Sequence, residues 1–418
     1  MNASAILRPS LLSRRAWAAV LVCLLVTASL IGSLRMHRDL GLKPGPNEYN
    51  IGAWEIRHAP QKWLFLLGEF FRGAPPIESQ DAHLRRFFQL SREVSQLQTQ
   101  LSDLEQRGET LPPGSFSALQ AKLDERDRIE NQVEATLEAR ITSVAGGLGL
   151  TRSFLDIVWP PVDFEFTEAP HTLVTSPRDR IELRSSDLLR EDLTIAELEA
   201  IEADTQAAEN VSALAFPVGG VGAYPAIIDY PTDYRGALLI AAHEWTHHYL
   251  FFRPLGLRYN ASTDLRTINE TVADLVGNEL ANAVMQHWPL PDAASGSQPA
   301  GSSDAPTIDL GAELRGLRAE VEALLAAGEI DAAEVLMEQK RQQLADAGYA
   351  IRKLNQAYFA FTNLYAGEAG SIAAVNPIGP KVDQLRRQSE SLREFIERVS
   401  AVTSVADLDR LLLETAQP

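Results

Sequence analysis

The sequence has almost no cysteine. Among its 418 residues the only one is Cys23, which lies inside an uncharged, largely apolar run near the amino terminus. The rest of the chain has no thiol for a disulfide or for metal ligation. This excludes a disulfide-stapled scaffold and a cysteine-ligated zinc site.

The sequence also lacks an excess of positive charge. Its 38 Lys and Arg residues face 56 Asp and Glu residues, which leaves a formal net charge of -18. Because surfaces that bind nucleic acid through phosphate attraction need a positive field, we expect no nucleic-acid partner. The length exceeds the usual size of one domain and predicts two or three structural units with at least one sizeable core.

The amino terminus has the pattern of an export signal. Three arginines and no acid among the first fifteen residues precede an uncharged run at 16–34. Its length favours a retained single-pass anchor within 1–40, and a signal peptide cleaved after small residues such as Val26 and Ala28 is the alternative. The basic side predicts a cytoplasmic amino terminus, with the bulk of the chain in the periplasm or outside the cell.

The region 41–145 is predicted to form an extracytoplasmic helical hairpin. Apolar residues at 87–104 recur at steps of three and four, which is a heptad seam. Glycines and prolines at 108–114 interrupt it, and a second helical pattern follows at 119–137. We expect an antiparallel pair that acts as a packing or spacer arm, with self-association or partner binding as the alternative.

The region 146–288 begins with short β-rich pieces, which predict a small sheet, and becomes helical from Tyr234 onward. A Ser-, Gly-, Ala- and Pro-rich stretch at 289–306 predicts a flexible loop. The remainder, 307–418, is predicted to be a helical subdomain, so the fold class is α+β. The predicted strands are Phe154–Trp159, Phe164–Phe166, Leu173–Thr175, Ile181–Leu183, Leu214–Val218 and Tyr224–Ile228.

The subdomain 307–418 begins with a second predicted hairpin. Apolar residues from Leu310 to Leu324 form a seam, Gly328 marks the turn, and the next helical stretch extends to about Tyr365.

One segment has the spacing of a metal site. His243 and His247 are four residues apart in a helical pattern, so both imidazoles would face one point, where a zinc ion fits. Glu244 would reach a metal-bound water and accept its proton. A catalytic zinc needs a third ligand, for which Glu270 is the best candidate, and Asp274, one turn later, would orient a zinc-bound histidine.

Two further residues near these motifs have open roles. Glu279 lies in the same helical pattern as Glu270 and is the alternative third ligand. His248 follows the second predicted ligand, and we expect it at the surface or supporting the site rather than binding the metal.

These residues resemble the gluzincin, or thermolysin-like, metallopeptidases, in which His-Glu-x-x-His is followed by Asn-Glu-x-x-x-Asp. The resemblance covers about 224–279 and implies that His243, His247 and Glu270 bind zinc, with Glu244 as general base and Asp274 as support. It also implies a zincin-like architecture, in which a small sheet precedes the active-site helix and a helical subdomain follows.

The resemblance implies two further features of a peptide-binding cleft. An extended peptide would pair with the sheet edge at Val218–Asp229, where glycines allow close approach; an ordinary glycine-rich turn is the alternative. The family also uses a Tyr or His from the later helices to polarise the substrate carbonyl. No motif identifies that residue here, and the candidates are Tyr349, Tyr358 and Tyr365.

The leading hypothesis is therefore a membrane-anchored zinc metallopeptidase that hydrolyses a peptide or protein substrate in the cell envelope. The second is a membrane-tethered scaffold with a structural or vestigial zinc site, whose helical hairpins carry the function. A hydrolase that uses the same zinc chemistry on another bond is a third hypothesis.

Overall fold

The computed structural model describes residues 45–55, 57–58, 62, 76–106, 112, 114–152, 157–290, 309–349, 351–364 and 376–414. The predicted anchor at 1–40 and all but the first two residues of the predicted loop at 289–306 lie outside these ranges. Within them, no helix has both the length and the apolarity to cross a membrane. The fold is α+β and mainly helical, which confirms the predicted class.

The helices are numbered from the first long one, and a short helical segment at 51–55 precedes them. They are α1 (Ile77–Gln106), α2 (Ser115–Gly147), α3 (Ile195–Glu209), α4 (Tyr234–Phe251), α5 (Pro254–Leu257), α6 (Thr263–His287), α7 (Leu310–Ala326), α8 (Ile330–Asp346), α9 (Gln356–Thr362), α10 (Ile378–Gln388), α11 (Leu392–Val399) and α12 (Val405–Glu414).

The strands are short and form separate sheets in the described part of the chain, so the prediction of one small sheet is wrong. β1 pairs with β2, a second sheet has the order β3-β8-β7, and a third has the order β5-β4-β6. The strands are β1 (Thr151–Arg152), β2 (Ile157–Val158), β3 (Phe164–Phe166), β4 (His171–Pro177), β5 (Ser185–Leu189), β6 (Val211–Pro217), β7 (Gly220–Val221) and β8 (Ala226–Ile228).

The helices α1 and α2 pack against each other as the predicted antiparallel hairpin. Ion pairs cross between them, including Arg86 Nε to Glu125 Oε1 at 2.6 Å. Of the predicted seam in α1, Phe87 lies in a core that also contains residues of α4 and α6. Leu90, Val94 and Leu101 are buried as well, whereas the other two seam positions, 97 and 104, are half-buried. Self-association through the seam stays a prediction. The residues of the two helices in that core include Leu84, Phe87, Phe88, Val133, Leu137 and Ile141.

One local prediction between β4 and β6 is wrong, and two elements there, β5 and α3, have no predicted counterpart. Ile181–Leu183 is not a strand: Ile181 packs on the α7–α8 core and Leu183 on a neighbouring cluster, so their apolarity serves packing. The strand that pairs with β4 is the more polar β5, in register Thr175 to Ser185. Helix α3, which has no predicted counterpart, begins at a capping box formed by Thr194 and Glu197.

The sheet β3-β8-β7 lies beside the predicted metal helix. Its strands β3 and β8 are parallel, with Phe164 opposite Ala226. Side chains of β8 alternate between two cores, because successive strand residues face opposite sides. Ile228 joins the large core with α4, whereas Ile227 packs with Trp54 from the amino-terminal segment. This segment therefore covers the outer face of the sheet.

The helices after residue 307 belong to two different cores. The predicted hairpin is present as α7 and α8, and the turn is at Gly328, whose positive φ of 80° suits glycine. The second helical stretch does not extend to Tyr365: α8 ends at Asp346, and α9 begins at Gln356. Helices α10 to α12 pack instead into the large core beside α6.

Candidate metal centre

The helices α4 and α6 form an antiparallel pair that carries the predicted ligands. Each begins at a side-chain cap: Asp233 accepts a hydrogen bond from the Gly236 amide, and Ser262 accepts one from the Leu265 amide. The helices approach closely at Gly277, where a Cβ atom would lie 3.1 Å from the Leu239 carbonyl oxygen. Only glycine allows this spacing without a backbone shift.

Three acceptor atoms of the predicted ligands converge between these helices. His243 Nε2 lies 3.0 Å from His247 Nε2. Glu270 Oε2 lies 3.3 Å from the first of these atoms and 3.5 Å from the second. Three ligand atoms bound to one tetrahedral zinc at about 2.0–2.1 Å would be about 3.3 Å apart. The triangle therefore has the size of one face of a zinc coordination tetrahedron.

The other ring nitrogens explain how both histidines would face a cation. His243 Nδ1 lies 2.9 Å from Asp274 Oδ1, and His247 Nδ1 lies 2.8 Å from Asn269 Oδ1. Because oxygen acceptors select the Nδ1–H tautomer of a neutral imidazole, both Nε2 atoms point into the triangle and would present lone pairs to a cation that displaces the proton there. Asp274 thus lies where the sequence predicted. The support from Asn269 was not predicted, although it precedes Glu270 in the motif.

The electrostatics of the triangle favour a cation. Burial lowers the pKa of His243, but its hydrogen bonds to Asp274 and Glu270 outweigh burial and raise that pKa well above its ordinary value. Burial raises the pKa of Glu270, but the charge and hydrogen bonds of His247 and His243 outweigh it and hold that pKa well below its usual range. The same negative potential would bind a divalent ion.

The residues fit zinc better than the other common protein cations. Two imidazoles and one carboxylate are a donor set of catalytic zinc sites, whereas Ca²⁺ and Mg²⁺ prefer oxygen ligands. In the described part of the chain, this is the single cluster of metal-ligating side chains with converging atoms. The structure thus brings His243, His247 and Glu270 together with Asp274 behind them, and zinc binding by these residues stays a prediction.

Glu244 is close to the triangle but separate from it. Its side chain is buried, and within the described residues its carboxylate has no hydrogen-bond partner. Burial raises its pKa, although the neighbouring imidazoles of His243 and His247 lower it. An uncommitted carboxylate with a raised pKa is suited to accept a proton.

The edge strand β7 passes over Glu244. A Cβ atom at Gly220 would overlap Oε1 of that carboxylate, and one at Gly222 would lie 3.6 Å from Oε2. The glycines therefore allow the backbone to approach the site. In the described sheet β7 is the edge, and its other side is bonded to β8 through the register Val221 to Ile227.

The two nearby residues with open roles are not metal ligands here. Glu279 forms a bidentate pair with Arg386, at 2.6 and 2.9 Å, so it does not join the triangle. His248 is buried, and its Nε2 lies 2.6 Å from the Ala223 carbonyl oxygen. It therefore supports the loop after β7 rather than lying at the surface.

Of the three predicted polarising tyrosines, the two that the structure describes do not lie at the metal site. Tyr349 and Tyr358 pack against the α7–α8 core, and Tyr365 lies outside the described residues. Tyr259, which has no predicted role, donates a hydrogen bond from its hydroxyl to Glu270 Oε1. Arg266 Nε donates to the same hydroxyl at 3.0 Å.

Tyr259 could be found only from the fold, because no motif contains it. It lies between the two helices, on the connection that returns the chain to the metal site. The hydrogen bond from Tyr259 holds Oε1 of Glu270, the oxygen that faces away from the histidines. The other oxygen, Oε2, is thereby directed at the triangle.

Comparison of the chain with protein-family models, with curated proteins and with solved structures gives no match.

Proposed function

We propose that the chain is a zinc-dependent hydrolase of the gluzincin type that cleaves peptide bonds. The observation that carries this proposal is the triangle of His243, His247 and Glu270. Its three acceptor atoms converge with the spacing of zinc ligands, and both imidazoles are oriented from behind.

Zinc bound at the triangle would supply Lewis acidity for a carbonyl oxygen and lower the pKa of a coordinated water. Glu244 would accept the proton of the attacking water and donate it to the departing amine. Its burial supports this role, because a raised pKa brings a carboxylate closer to the working pH of a general base.

The edge strand supports a peptide as the substrate. An extended peptide can add to an unpaired edge through main-chain hydrogen bonds. At β7 such a peptide would lie beside Glu244, because Gly220 has no side chain to separate them. The scissile carbonyl would then be near both the base and the metal triangle.

We further propose that the apolar run at 16–34 anchors the chain in a membrane, with the hydrolase outside the cytoplasm. This proposal depends on the sequence pattern, because the run lies outside the described residues. The scaffold hypothesis is secondary, since most of the seam that motivates it is buried within the chain.

The test is hydrolysis of a complex peptide mixture by the zinc-loaded full chain, with new termini identified by mass spectrometry. We expect cleavage by the wild type and a loss of about 10²–10⁴-fold in Glu244→Gln, which removes the base. Zinc content should be unchanged, because Glu244 is not a ligand. Glu320→Gln, an exposed position on α7, is the matched control.

Undiminished cleavage by Glu244→Gln would refute the assigned base. A zinc-loaded wild type that cleaves no peptide would instead favour the scaffold or a hydrolase of another bond.

A further inference from the structure

An apolar tip projects at the end of the metal helix. Phe251 and Phe252 at the end of α4 are 60% and 57% exposed, and Leu257 of α5 is 72% exposed. The two phenyl rings are in contact, with centroids 5.1 Å apart. Three large apolar side chains within seven residues form a surface cluster, unlike single exposed residues such as Phe116.

The tip is held firmly by the fold. A Cβ atom at Gly256 would overlap the Leu250 carbonyl, so α5 packs directly on the last turn of α4. Between the exposed residues, Leu255 is fully buried, and its amide donates to the Ser400 carbonyl at 3.1 Å. The inner residues thus fix the tip while the outer ones face solvent.

The charge at the tip is opposite to the charge of the whole chain. Arg253 and Arg258 flank the apolar residues, although the chain carries a net charge of -18. Arg253 lies against the ring of Tyr249, and within the described residues neither arginine pairs with a carboxylate. Aromatic residues with neighbouring arginines are typical of surfaces that sit at lipid headgroups.

The amino-terminal segment first contacts β5, where the Arg190 amide donates to the Asn47 carbonyl, and then passes beside the end of α4. Glu55 accepts a hydrogen bond from the Tyr224 amide, and the ring of Tyr224 contacts His248, one helical turn before Phe252. The run at 16–34 ends eleven residues before Gly45, the first described residue. Eleven residues can extend to at most about 40 Å. The predicted anchor would therefore keep the start of the described chain near a bilayer, and the segment that follows passes beside this end of α4 through Glu55.

We propose that Phe251, Phe252 and Leu257 form a docking surface for an anionic lipid bilayer, with Arg253 and Arg258 facing the lipid phosphates. The surface is distinct from the metal triangle, and the proposal does not depend on hydrolysis. Docking would place the metal site close to the membrane, because His247 precedes Phe251 by about 6 Å along the helix axis.

The test uses an environment-sensitive NBD fluorophore in the full chain, reconstituted into vesicles of phosphatidylcholine and phosphatidylglycerol. Cys23→Ser removes the native thiol, and Phe251→Cys provides the labelling site. Phe116→Cys is the matched control, since that exposed phenylalanine lies at the start of α2. We expect a blue shift at position 251 and quenching by spin-labelled lipids, with neither effect at position 116.

Two further measurements make the test specific. Phe252→Ser with Leu257→Ser in the chain labelled at position 251 should reduce the quenching several-fold, and so should vesicles of phosphatidylcholine alone. Emission at position 251 that stays aqueous, whether or not the chain associates with vesicles, would overturn the proposal. A blue shift that depends on protein concentration, without quenching by lipid, would also overturn it and would indicate a second copy of the chain.

Discussion

Two antiparallel helix pairs in this molecule have different interiors. The pair α7–α8 packs through apolar side chains such as Leu317 and Val321. The pair α4–α6 has a comparable apolar seam but also buries Asn269 and Glu270, with two histidines facing them. Buried polar groups cost stability unless they are paired. Polar side chains that converge between α4 and α6 and hydrogen-bond to one another therefore indicate a functional site. The apolar contacts between α7 and α8 show that two helices of this chain can pack without such groups.

The largest expected effect is at the ion pairs that join helix α3 to the segment between α8 and α9. Glu202 is fully buried and pairs with Arg352 and Lys353, each at 2.5 Å. We expect Glu202→Gln to lower the free energy of unfolding at neutral pH by about 3 kcal/mol. The zinc content should not change, because the metal helices are untouched. Chemical denaturation with Glu199→Gln as the exposed control measures this difference.

The same variant has a pH signature. Burial raises the pKa of Glu202, but the hydrogen bonds from Arg352, Lys353 and the Ala215 amide outweigh it, so the folded-state pKa lies below the ordinary 4.5. The stabilisation is therefore present above that value and is lost as the pH falls through the folded-state pKa. The stability difference between wild type and variant should shrink there. A constant difference across the acidic range would contradict the assigned charge.

The second prediction concerns the support behind the metal ligands. Asp274→Ala removes the acceptor that orients His243, and we expect zinc affinity to fall by about 10- to 100-fold. Competition with a chromophoric chelator measures the affinity. Asp331→Ala on α8 is the matched control, since that side chain is 98% exposed. Equal zinc affinity in both variants would show that Asp274 does not support the site.

The smallest prediction compares one glycine in each helix pair. In Gly277→Ala the new methyl group would meet the backbone of α4. We therefore expect the free energy of unfolding to fall by about 1–3 kcal/mol and zinc binding to weaken. At Gly316 of α7 no atom lies within 4 Å of an added Cβ. Gly316→Ala should therefore raise the free energy of unfolding by about 0.5–1 kcal/mol, because alanine has a higher helix propensity than glycine. Thermal or chemical unfolding checks the opposite signs; changes of the same sign would contradict the close packing.

The helices and the metal motif could be predicted because their signals are local. The heptad seam of α1, the turn at Gly328 and the four-residue spacing of His243 and His247 each depend on neighbours within one helix. Helix α3 could also have been predicted, because Thr194 and Glu197 have the spacing of a capping box.

The remaining features depend on contacts between distant parts of the chain. The parallel pairing of β3 with β8 joins segments about sixty residues apart, and short strands do not specify such partners. Likewise, the hydrogen bond from Tyr259 to Glu270 appears only when the connection between α4 and α6 folds back. The apolar pattern around Ile181 predicts a strand, because a local pattern does not distinguish strand pairing from packing on a helix.

Zinc binding by the full chain tests the central claim most directly. Elemental analysis and X-ray absorption should be measured for the wild type, for His243→Ala and for His287→Ala, whose histidine is exposed at the end of α6. We predict about one zinc per chain, bound by imidazole and carboxylate ligands, in the wild type and in His287→Ala, with strong loss in His243→Ala. A folded wild type that binds no zinc when zinc is supplied, or equal binding by His243→Ala, would contradict the account.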